Sequence, residues 1–376
     1  MTTMFYYGTL CYLPLLELVL QGEEYHTRPA VLHDHQISWV QDQPFPIIEA
    51  SVGQSSRGIL VEGLGPQAVE KLNFYEGGFD YALKDLSVQP DAGGDVVSAR
   101  VYFPTPGVWT TGAPWSLDDW ADQWADITLE AAAEVMSYFG RLSAKEVAAR
   151  FPMIRTRAAS RVRARRSKAP TTLRTNFGAG DIAVSSSTRP YSRFFTMEEQ
   201  DLSFRRYSGE MSETVNRAAL VGGDAVIVLP YDPVRDTVLL VEQFRMGPHM
   251  RGDPYPWLLE AIAGRIDAGE TPEDSARREA QEEAGLTLDR LIPLPHHYPS
   301  PGSSTEYYYT YVALCDLPEN LAGIGGVEDE AEDIRSHVIP FVKLMELVAN
   351  GEAACGPLIL CALWLSQNRD AVRAVT

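Results

Sequence analysis

The residues best suited to chemistry lie in one acidic stretch, GRIDAGETPEDSARREAQEEAGL, at positions 264–286. Thr271, followed by Pro272 and then Asp274, is typical of a helix start with a capping side chain and a proline in the first turn. Gly285 is typical of a helix end, because glycine readily adopts the left-handed conformation that closes a helix. The pattern therefore predicts a helix with sequence signals at both ends.

Three carboxylates lie together on this predicted helix, because residues three and four apart are neighbours on a helix surface. They belong to Glu279, Glu282 and Glu283. Partly shielded like charges about 4 Å apart repel by ~4 kcal/mol, and a hard cation such as Mg²⁺, which prefers oxygen ligands, removes that repulsion. From these residues alone the alternative is a solvated acidic helix, with Arg277 and Arg278 as ion-pair partners.

The spacing around the helix resembles the Nudix box at every fixed position. The matching residues are Gly264, Glu270, Arg278, Glu279, Glu282, Glu283, Gly285 and Leu286. The one soft departure is Ala280, where a larger aliphatic residue is common. The resemblance implies an α/β Nudix fold, a mixed sheet sandwiched by helices, and hydrolysis of a nucleoside diphosphate linked to another group.

Outside the box, the sequence resembles the bacterial ADP-ribose pyrophosphatases over residues 194–369. The similar segments include GEMSETVNR, LPYDPVRD, VEQFR, PWLLEAIAG, SPGSSTE and VEDEAEDIRSHV. The resemblance implies hydrolysis of ADP-ribose to AMP and ribose 5-phosphate with Mg²⁺, or with Mn²⁺ as the alternative metal. It also implies a homodimer formed through this domain. Other substrates of the same chemistry are NADH, a nucleotide sugar or a dinucleoside polyphosphate, and a non-catalytic ADP-ribose sensor is the alternative of another class.

The same resemblance assigns roles to individual residues of this chain. The metal ions would be held by the carbonyl of Ala263 and the carboxylates of Glu279, Glu283 and Glu332. Glu330 would act as general base on the attacking water, with Glu282 as a nearby catalytic carboxylate. The substrate would be held by Arg217, Arg245, Glu306 and Phe194, whose ring would stack on adenine. Without the resemblance, Glu330 and Glu332 are typical surface acids and Phe194 a typical core residue.

A second candidate site lies near the start of the chain. FYYGTL at residues 5–10, RGILVEGL at residues 57–64 and LNFYEGGFDY at residues 72–81 resemble the γ-glutamylcyclotransferase-like fold. The resemblance implies a small mixed sheet or barrel. The loop of Tyr7, Gly8, Thr9 and Leu10 would bind the substrate, and Glu76 would be the acid and base that moves a proton.

Some features of this second resemblance leave alternatives open. Asn73 stands where many relatives carry Asp, and the domain could instead buttress the hydrolase or recruit a ligand. The pairing of a cyclotransferase-like domain with an ADP-ribose hydrolase resembles bacterial tellurite-resistance proteins of the TrgB type. That likeness suggests a stress or detoxification context and carries no mechanism.

The elements that must position these residues change character along the chain. Short apolar runs between turn residues up to about residue 104 predict a small mixed sheet, and residues 116–151 have helical spacing. The sequence therefore predicts a first domain at residues 1–154 and a second, α/β domain at residues 189–376. Between them, residues 155–188 begin with the basic run RTRAASRVRARRSK, which we interpret as a solvated linker; the alternative is a functional patch that binds phosphate or an acidic surface of the partner domain.

Composition sets the outer limits. A chain of 376 residues with 45% hydrophobic residues can fill two cores. Its formal net charge of −19 argues against a nucleic-acid partner. The sequence has no apolar run long enough for a membrane span, and its four scattered cysteines indicate neither a zinc site nor a disulfide framework. We therefore expect a cytoplasmic protein without a nucleic-acid or membrane partner, and the resemblance to the Nudix family implies a small-molecule nucleotide substrate.

Overall fold

The computed structural model of the protein describes residues 1–78, 81–318, 321, 323–325 and 333–374. Two compact units are present, Met1–Lys168 and Ala169–Thr376. Each has its own buried clusters of aliphatic and aromatic side chains. The prediction of a mixed α/β chain with two cores is confirmed.

Strands of the first unit form one sheet that closes on itself. They are β1 (Thr2–Tyr6), β2 (His26–Val40), β3 (Pro46–Leu64), β4 (Tyr81–Pro90), β5 (Val97–Pro104) and β6 (Thr111–Pro114). The order is β3-β1-β5-β4-β2-β6, and a further pairing of β3 with β2 closes a five-stranded, barrel-like sheet. β1 runs parallel to β5, whereas the other paired strands are antiparallel.

Gly58 allows β3 to cross β1 closely in this barrel. A β-carbon at residue 58 would lie 2.1 Å from the carbonyl oxygen of Tyr6 and 2.7 Å from the ring of Phe5. Phe5 is itself buried in the barrel. The glycine is therefore needed for close approach rather than for an unusual backbone angle.

Helices of the first unit pack against and beyond the barrel. They are α1 (Leu13–Leu20), α2 (Pro66–Glu76), α3 (Leu117–Met136), α4 (Ala144–Ala148) and α5 (Phe151–Arg166). Trp120 of α3 is fully buried, and its indole N–H donates to the carbonyl of Pro44 at 3.0 Å. The predicted helical extension is present, and it continues beyond residue 151 through α5.

The predicted linker at residues 155–188 needs correction, because much of its basic run forms α5. Arg157 is fully buried and pairs with the fully buried carboxylate of Glu134 on α3 at 2.5 Å. Further along α5, Arg165 and Arg166 pair with Glu130 and Asp126 of α3. Arg157 therefore joins α5 to the acidic helix α3 in the interior, and Arg165 and Arg166 add ion pairs at the surface. The first compact unit extends to Lys168, and β7 (Ile182–Ser192) also begins inside the expected linker.

The second unit contains a large mixed sheet. Its strands are β10 (Ala225–Asp232), β11 (Thr237–Phe244), β12 (Trp257–Glu260), β13 (Ile262–Arg265), β14 (Arg290–Pro293), β15 (Tyr308–Leu314), β16 (Ile324–Gly325) and β17 (Ile334–Pro340). The main order is β14-β15-β10-β11-β17-β16, with β12 on β11 and β13 on β10. The segment WLLEAIAG forms two strands divided at Ala261, because its first half pairs with β11 and its second half with β10.

Helices cover this sheet on both faces. The covering helices are α7 (Pro272–Ala284), α8 (Phe341–Asn350) and α9 (Gly356–Ala374), and α6 (Met246–Arg251) is a short helix without buried residues. The buried alanines of α7, Ala276 and Ala280, pack with sheet residues such as Val226. α8 and α9 pack with the opposite set, which includes Leu229 and Leu240. The predicted α/β/α sandwich is therefore confirmed.

A separate three-stranded antiparallel sheet precedes the sandwich in the same unit. It consists of β7, β8 (Thr196–Phe204) and β9 (Val215–Val221), in that order. The end of β9 is joined to the loop of the SPGSSTE segment, because the Leu220 N–H donates to the carbonyl of Ser303 at 2.8 Å. No helix among the described residues is long and apolar enough to cross a membrane.

Candidate functional site

The acidic helix α7 begins and ends where the sequence predicts. The Asp274 N–H donates to the Thr271 hydroxyl oxygen at 3.1 Å, and that hydroxyl donates to the Asp274 carboxylate at 2.6 Å. At the other end Gly285 has φ +62°, and the Leu286 N–H reaches back to the carbonyl of Ala280 at 3.0 Å. These caps fix the start and length of the helix that carries the acidic side chains.

The carboxylate of Glu279 lies directly over the backbone of Gly264 in β13. A β-carbon at residue 264 would lie 1.8 Å from the carboxyl carbon of Glu279 and 1.9 Å from one of its oxygens. Such distances are far inside van der Waals contact, so a side chain at residue 264 would displace the carboxylate. Gly264 is therefore required because it leaves room for Glu279 beside the Ala263–Gly264 backbone.

Arg278 organises the acidic side chains around it. Its guanidinium donates twice to Glu270, at 2.9 and 3.0 Å, and to Glu279 at 2.8 Å and Glu282 at 2.9 Å. A further N–H donates to the carbonyl of Arg265 at 2.9 Å. Arg278 thus fastens α7 to β13 and to the loop before the helix, and one cation serves three carboxylates.

Glu270 is held firmly in its charged form. Desolvation acts to raise the pKa of Glu270, but hydrogen bonds from Arg278, the Ser275 hydroxyl and the Asp267 N–H outweigh it and lower the pKa to about 2. The Ser275 hydroxyl bond measures 2.5 Å and the Asp267 bond 3.1 Å. Glu270 therefore acts here as an ion-pair partner that positions Arg278.

The three carboxylates at the C-terminal end of α7 have different surroundings. Glu283 is buried, with 2% of its surface exposed, whereas the side chain of Glu282 is 37% exposed and pairs with Arg278. A β-carbon at Gly325 of β16 would lie 2.6 Å from the carbonyl of Glu283, so this strand packs closely on the helix. The three side chains therefore do not form one uniformly exposed acidic face.

Among the described residues, no three His, Cys, Asp or Glu side chains are grouped closely enough to hold a metal ion. The donor chemistry nevertheless fits a hard divalent cation. Glu279 lies in the space that a β-carbon on Gly264, the residue after Ala263, would fill, and Glu283 places a second carboxylate one turn along the helix. Glu330 and Glu332, predicted as general base and metal ligand, lie outside the described residues.

Phe194 lies in the turn between β7 and β8, and its ring contacts Arg265 at the end of β13. The guanidinium carbon of Arg265 lies 4.3 Å from the centre of the Phe194 ring, a cation–π contact, and the ring is 54% exposed. Phe195 packs edge-on against it at 5.0 Å. Phe194 is therefore not a core residue. Its ring contacts Arg265, the residue that directly follows Gly264 in β13.

Arg245, predicted to bind substrate, follows β11 and has a fixed orientation. Its guanidinium makes a bidentate pair with Glu260 of β12, at 2.9 and 2.7 Å. The side chain of Glu260 is largely buried. Sequence reasoning missed both Glu260 and Arg265; the available signal for Glu260 was a single acid in the apolar run WLLEAIAG.

The other two predicted substrate residues lie on different elements. Glu306 follows the SPGSSTE loop, and a β-carbon at Gly222 would lie 2.8 Å from its side chain. The Glu306 carboxylate accepts from the Ser304 hydroxyl at 3.3 Å. Arg217 is exposed on β9 and donates to the carbonyl of Asn216 at 2.9 Å. The structure places Arg217 on the three-stranded sheet rather than on the sandwich.

The first unit contains a cavity of about 490 Å³. Tyr7, Gly8, Thr9 and Leu10 line it, together with Glu76 at the end of α2. The structure therefore brings together the loop and the carboxylate that the sequence picked out some seventy positions apart. Gly8 is also tightly fitted, because a β-carbon there would lie 2.7 Å from Pro46.

Glu76 has an unusual electrostatic environment within this cavity. Desolvation by burial raises the pKa of Glu76 to about 7. Burial also raises the pKa of Tyr75 and Tyr81 well above the usual value, and the neighbouring Glu76 carboxylate adds to that effect. Nearby, the Tyr102 hydroxyl donates to the Asn73 side-chain oxygen at 2.6 Å. A carboxyl group with a pKa near neutrality can both take and return a proton.

Comparisons with known proteins match one family model to each of the two units. The family model for the NUDIX domain matches residues 222–357, and the model "Gamma-glutamyl cyclotransferase, AIG2-like" matches residues 4–122. The chain is 36% identical over 204 residues to the ADP-ribose pyrophosphatase of Escherichia coli K12, covering 54% of this chain and 97% of that protein.

Two further relatives show how far the similarity reaches. Identity to the ADP-ribose pyrophosphatase of Haemophilus influenzae is 34%, over 51% of this chain and 89% of that protein. Identity to the GDP-mannose pyrophosphatase of Yersinia enterocolitica is 35%, over 37% of this chain and 71% of that protein. With the capped acidic helix and the close fit of Glu279 on Gly264, these matches show that the chain belongs to the Nudix hydrolases and carries a γ-glutamyl cyclotransferase-like domain before its NUDIX domain.

Proposed function

We propose that the NUDIX domain hydrolyses ADP-ribose to AMP and ribose 5-phosphate in the presence of Mg²⁺, with Mn²⁺ as an alternative. The observation that carries this proposal is the seating of the Glu279 carboxylate on the Gly264 backbone, at the helix that holds the other acids. The similarity to ADP-ribose pyrophosphatases over almost their whole length supports the choice of substrate.

The metal would be held by oxygen donors around α7. They are the Ala263 carbonyl and the carboxylates of Glu279, Glu283 and Glu332. A bound divalent ion neutralises diphosphate charge and makes an attacking water easier to deprotonate. Glu330 would take the proton of that water, and Glu282 would assist from the exposed side of the helix. Hydrolysis breaks one phosphorus–oxygen bond of the diphosphate.

Other residues would position the nucleotide. Arg245 would bring positive charge to the anionic substrate, with Glu260 keeping its guanidinium in one orientation. Phe194 has a half-exposed ring that could stack on adenine, supported by Arg265. Glu306 and Arg217 would bind the remaining polar groups. These assignments follow from the resemblance and from the contacts of each residue.

A nucleotide sugar is the second candidate substrate, because one relative of similar identity is a GDP-mannose pyrophosphatase. Comparing kcat/KM for ADP-ribose, GDP-mannose and NADH would decide between them. Tight ADP-ribose binding without turnover would favour a sensor instead. The cytoplasmic location and the tellurite-resistance context stay predictions from the sequence.

For the first domain we propose cyclotransfer of γ-glutamyl amines, supported by the cavity that joins Glu76 to the Tyr7–Leu10 loop. The α-amine of the γ-glutamyl group attacks its own γ-carbonyl carbon, the amide C–N bond breaks, and a cyclic lactam forms. Glu76 would take the proton from the attacking amine and give it to the departing amine. One C–N bond forms and one breaks, so the cyclisation needs no other reactant.

The Glu283→Gln variant tests the hydrolase directly. Gln keeps the shape but lacks the charge that a divalent cation requires, so we expect loss of most ADP-ribose hydrolysis, roughly a hundredfold or more in kcat. AMP release measured with Mg²⁺ gives the answer. The control Glu346→Gln, at a side chain that is 59% exposed on α8, should retain activity. Wild-type rates in Glu283→Gln would contradict the metal assignment.

The Gly264→Ala variant tests the seating of Glu279. Its added methyl group would lie within 2 Å of the carboxylate and force it to move. A displacement of this order costs about a hundredfold in rate. We expect such a loss in kcat from protein that still folds, as judged by circular dichroism. Gly356→Ala, where a β-carbon meets nothing within 4 Å, is the matched control. Equal activity of the two variants would show that the contact is dispensable.

The pKa of Glu76 predicts a pH profile for the first domain. A carboxyl group with a pKa of about 7 is protonated in acid and can accept a proton only above that pH. The kcat/KM for a γ-glutamyl amine should therefore rise about tenfold per pH unit up to about pH 7 and then level off. Glu76→Gln should be inactive, whereas Glu70→Gln, exposed on the same helix, should keep the profile. A flat profile would count against Glu76 as the proton carrier.

We also propose a homodimer formed through the second domain. The three-stranded sheet exposes aliphatic and aromatic side chains, among them Ile182, Val184 and Phe204. Exposed apolar patches of this kind are typical of interfaces. Light scattering at micromolar concentration should give about twice the 41.6 kDa chain mass. Val184→Asp should favour monomers, and Val234→Asp, in an exposed turn, should not. A fully active wild-type monomer would overturn this proposal.

A further inference from the structure

One wall of the first-unit cavity lies beyond the part of the chain that matches the cyclotransferase model, which ends at residue 122. This wall is formed by residues of α3, α4 and α5. They include Trp124, Ile127, Val147, Phe151 and Arg155. These three helices therefore line the cavity with residues that lie outside the matched range.

Buried contacts hold this wall of α3, α4 and α5 in position. Glu134 of α3 and Arg157 of α5 form a fully buried ion pair at 2.5 Å, and Tyr138 packs in the same buried cluster as Ile154. The turn after α2 meets α4 closely, because a β-carbon at Gly78 would lie 2.6 Å from the side chain of Ala148. The wall is thus fixed with respect to Glu76, two residues before that turn.

The cavity combines aromatic and aliphatic surface with few charges. Of the described residues that line it, Glu76 and Arg155 are the ones with ordinarily ionisable acidic or basic side chains. Glu76 is the last residue of α2, and Arg155 lies on α5. Phe151 and Arg155 are four residues apart on one helix, so an apolar surface and a guanidinium lie next to each other. This pair suits a ligand that carries an apolar group beside a carboxylate.

We propose that the first domain acts on γ-glutamyl dipeptides whose second residue is aromatic or branched aliphatic, with Arg155 as the specificity-determining residue that pairs with the dipeptide's terminal carboxylate. The inference rests on the cyclotransferase function proposed above and narrows its substrate. Cyclisation breaks the amide bond to the second residue, which leaves as a free amino acid with its carboxylate still paired to Arg155. A carboxylate in an apolar cavity needs such a partner.

Two probes that differ only by the carboxylate test this assignment. They are γ-glutamylphenylalanine and γ-glutamylphenethylamine, assayed with the full-length protein. The acid should have a kcat/KM about tenfold higher than the amine, as expected for one charge-assisted pair. Arg155→Gln should abolish that preference. Arg166→Gln, on the same helix but paired at the surface with Asp126, should retain it.

Calorimetry on the full-length Glu76→Gln protein, with and without Arg155→Gln, separates this inference from the reaction itself. Arg155-dependent preference for the acid in binding, without turnover by the wild type, would support the specificity assignment and refute the cyclotransferase function. Equal turnover of both probes would refute the role of Arg155 and leave the cyclotransferase function standing. If neither probe is bound or turned over, both proposals are wrong.

Discussion

The candidate site of the second unit depends on one close contact. The carboxylate of Glu279 lies in the space that a β-carbon at residue 264 would occupy. Glu279 can occupy that position only because Gly264 has no side chain. The caps at Thr271 and Gly285 set the register of α7 so that Glu279 faces β13, and the small residues Ala276 and Ala280 let the helix lie flat on the sheet. The ends of α7 and its close packing on the sheet therefore determine together where its acidic side chains lie.

Electrostatics explains why so many acids can share this region. Arg278 donates hydrogen bonds to Glu270, Glu279 and Glu282, so its single positive charge offsets part of the repulsion among the three carboxylates, and Glu270 stays ionised because three groups donate hydrogen bonds to it. Arg278 therefore holds these carboxylates in place before any ligand binds. Under the proposed function a divalent cation would add charge to a site whose carboxylates are already held in place, which limits the reorganisation that binding requires.

Much of this could be predicted from the sequence, where the signals are local. The start and end of α7 follow from Thr271, Pro272 and Gly285, and the small mixed sheet of the first unit follows from short apolar runs between turn residues. The burial of Arg157 in the basic run could not be predicted, because it depends on Glu134, which lies 23 positions earlier in the chain. The contacts of Arg265 with Phe194 and of Arg245 with Glu260 were likewise unpredictable, since each joins elements whose meeting only the fold determines. The cavity wall formed by α3, α4 and α5 could not be predicted for the same reason.

Anomalous diffraction from crystals of the protein soaked in Mn²⁺ tests the central claim most directly. The account predicts an anomalous peak within coordination distance of the carboxylates of Glu279 and Glu283, with Arg278 still bonded to Glu270. Crystals that take up Mn²⁺ elsewhere, or whose Glu279 and Glu283 carboxylates point apart with no ion between them, would contradict it.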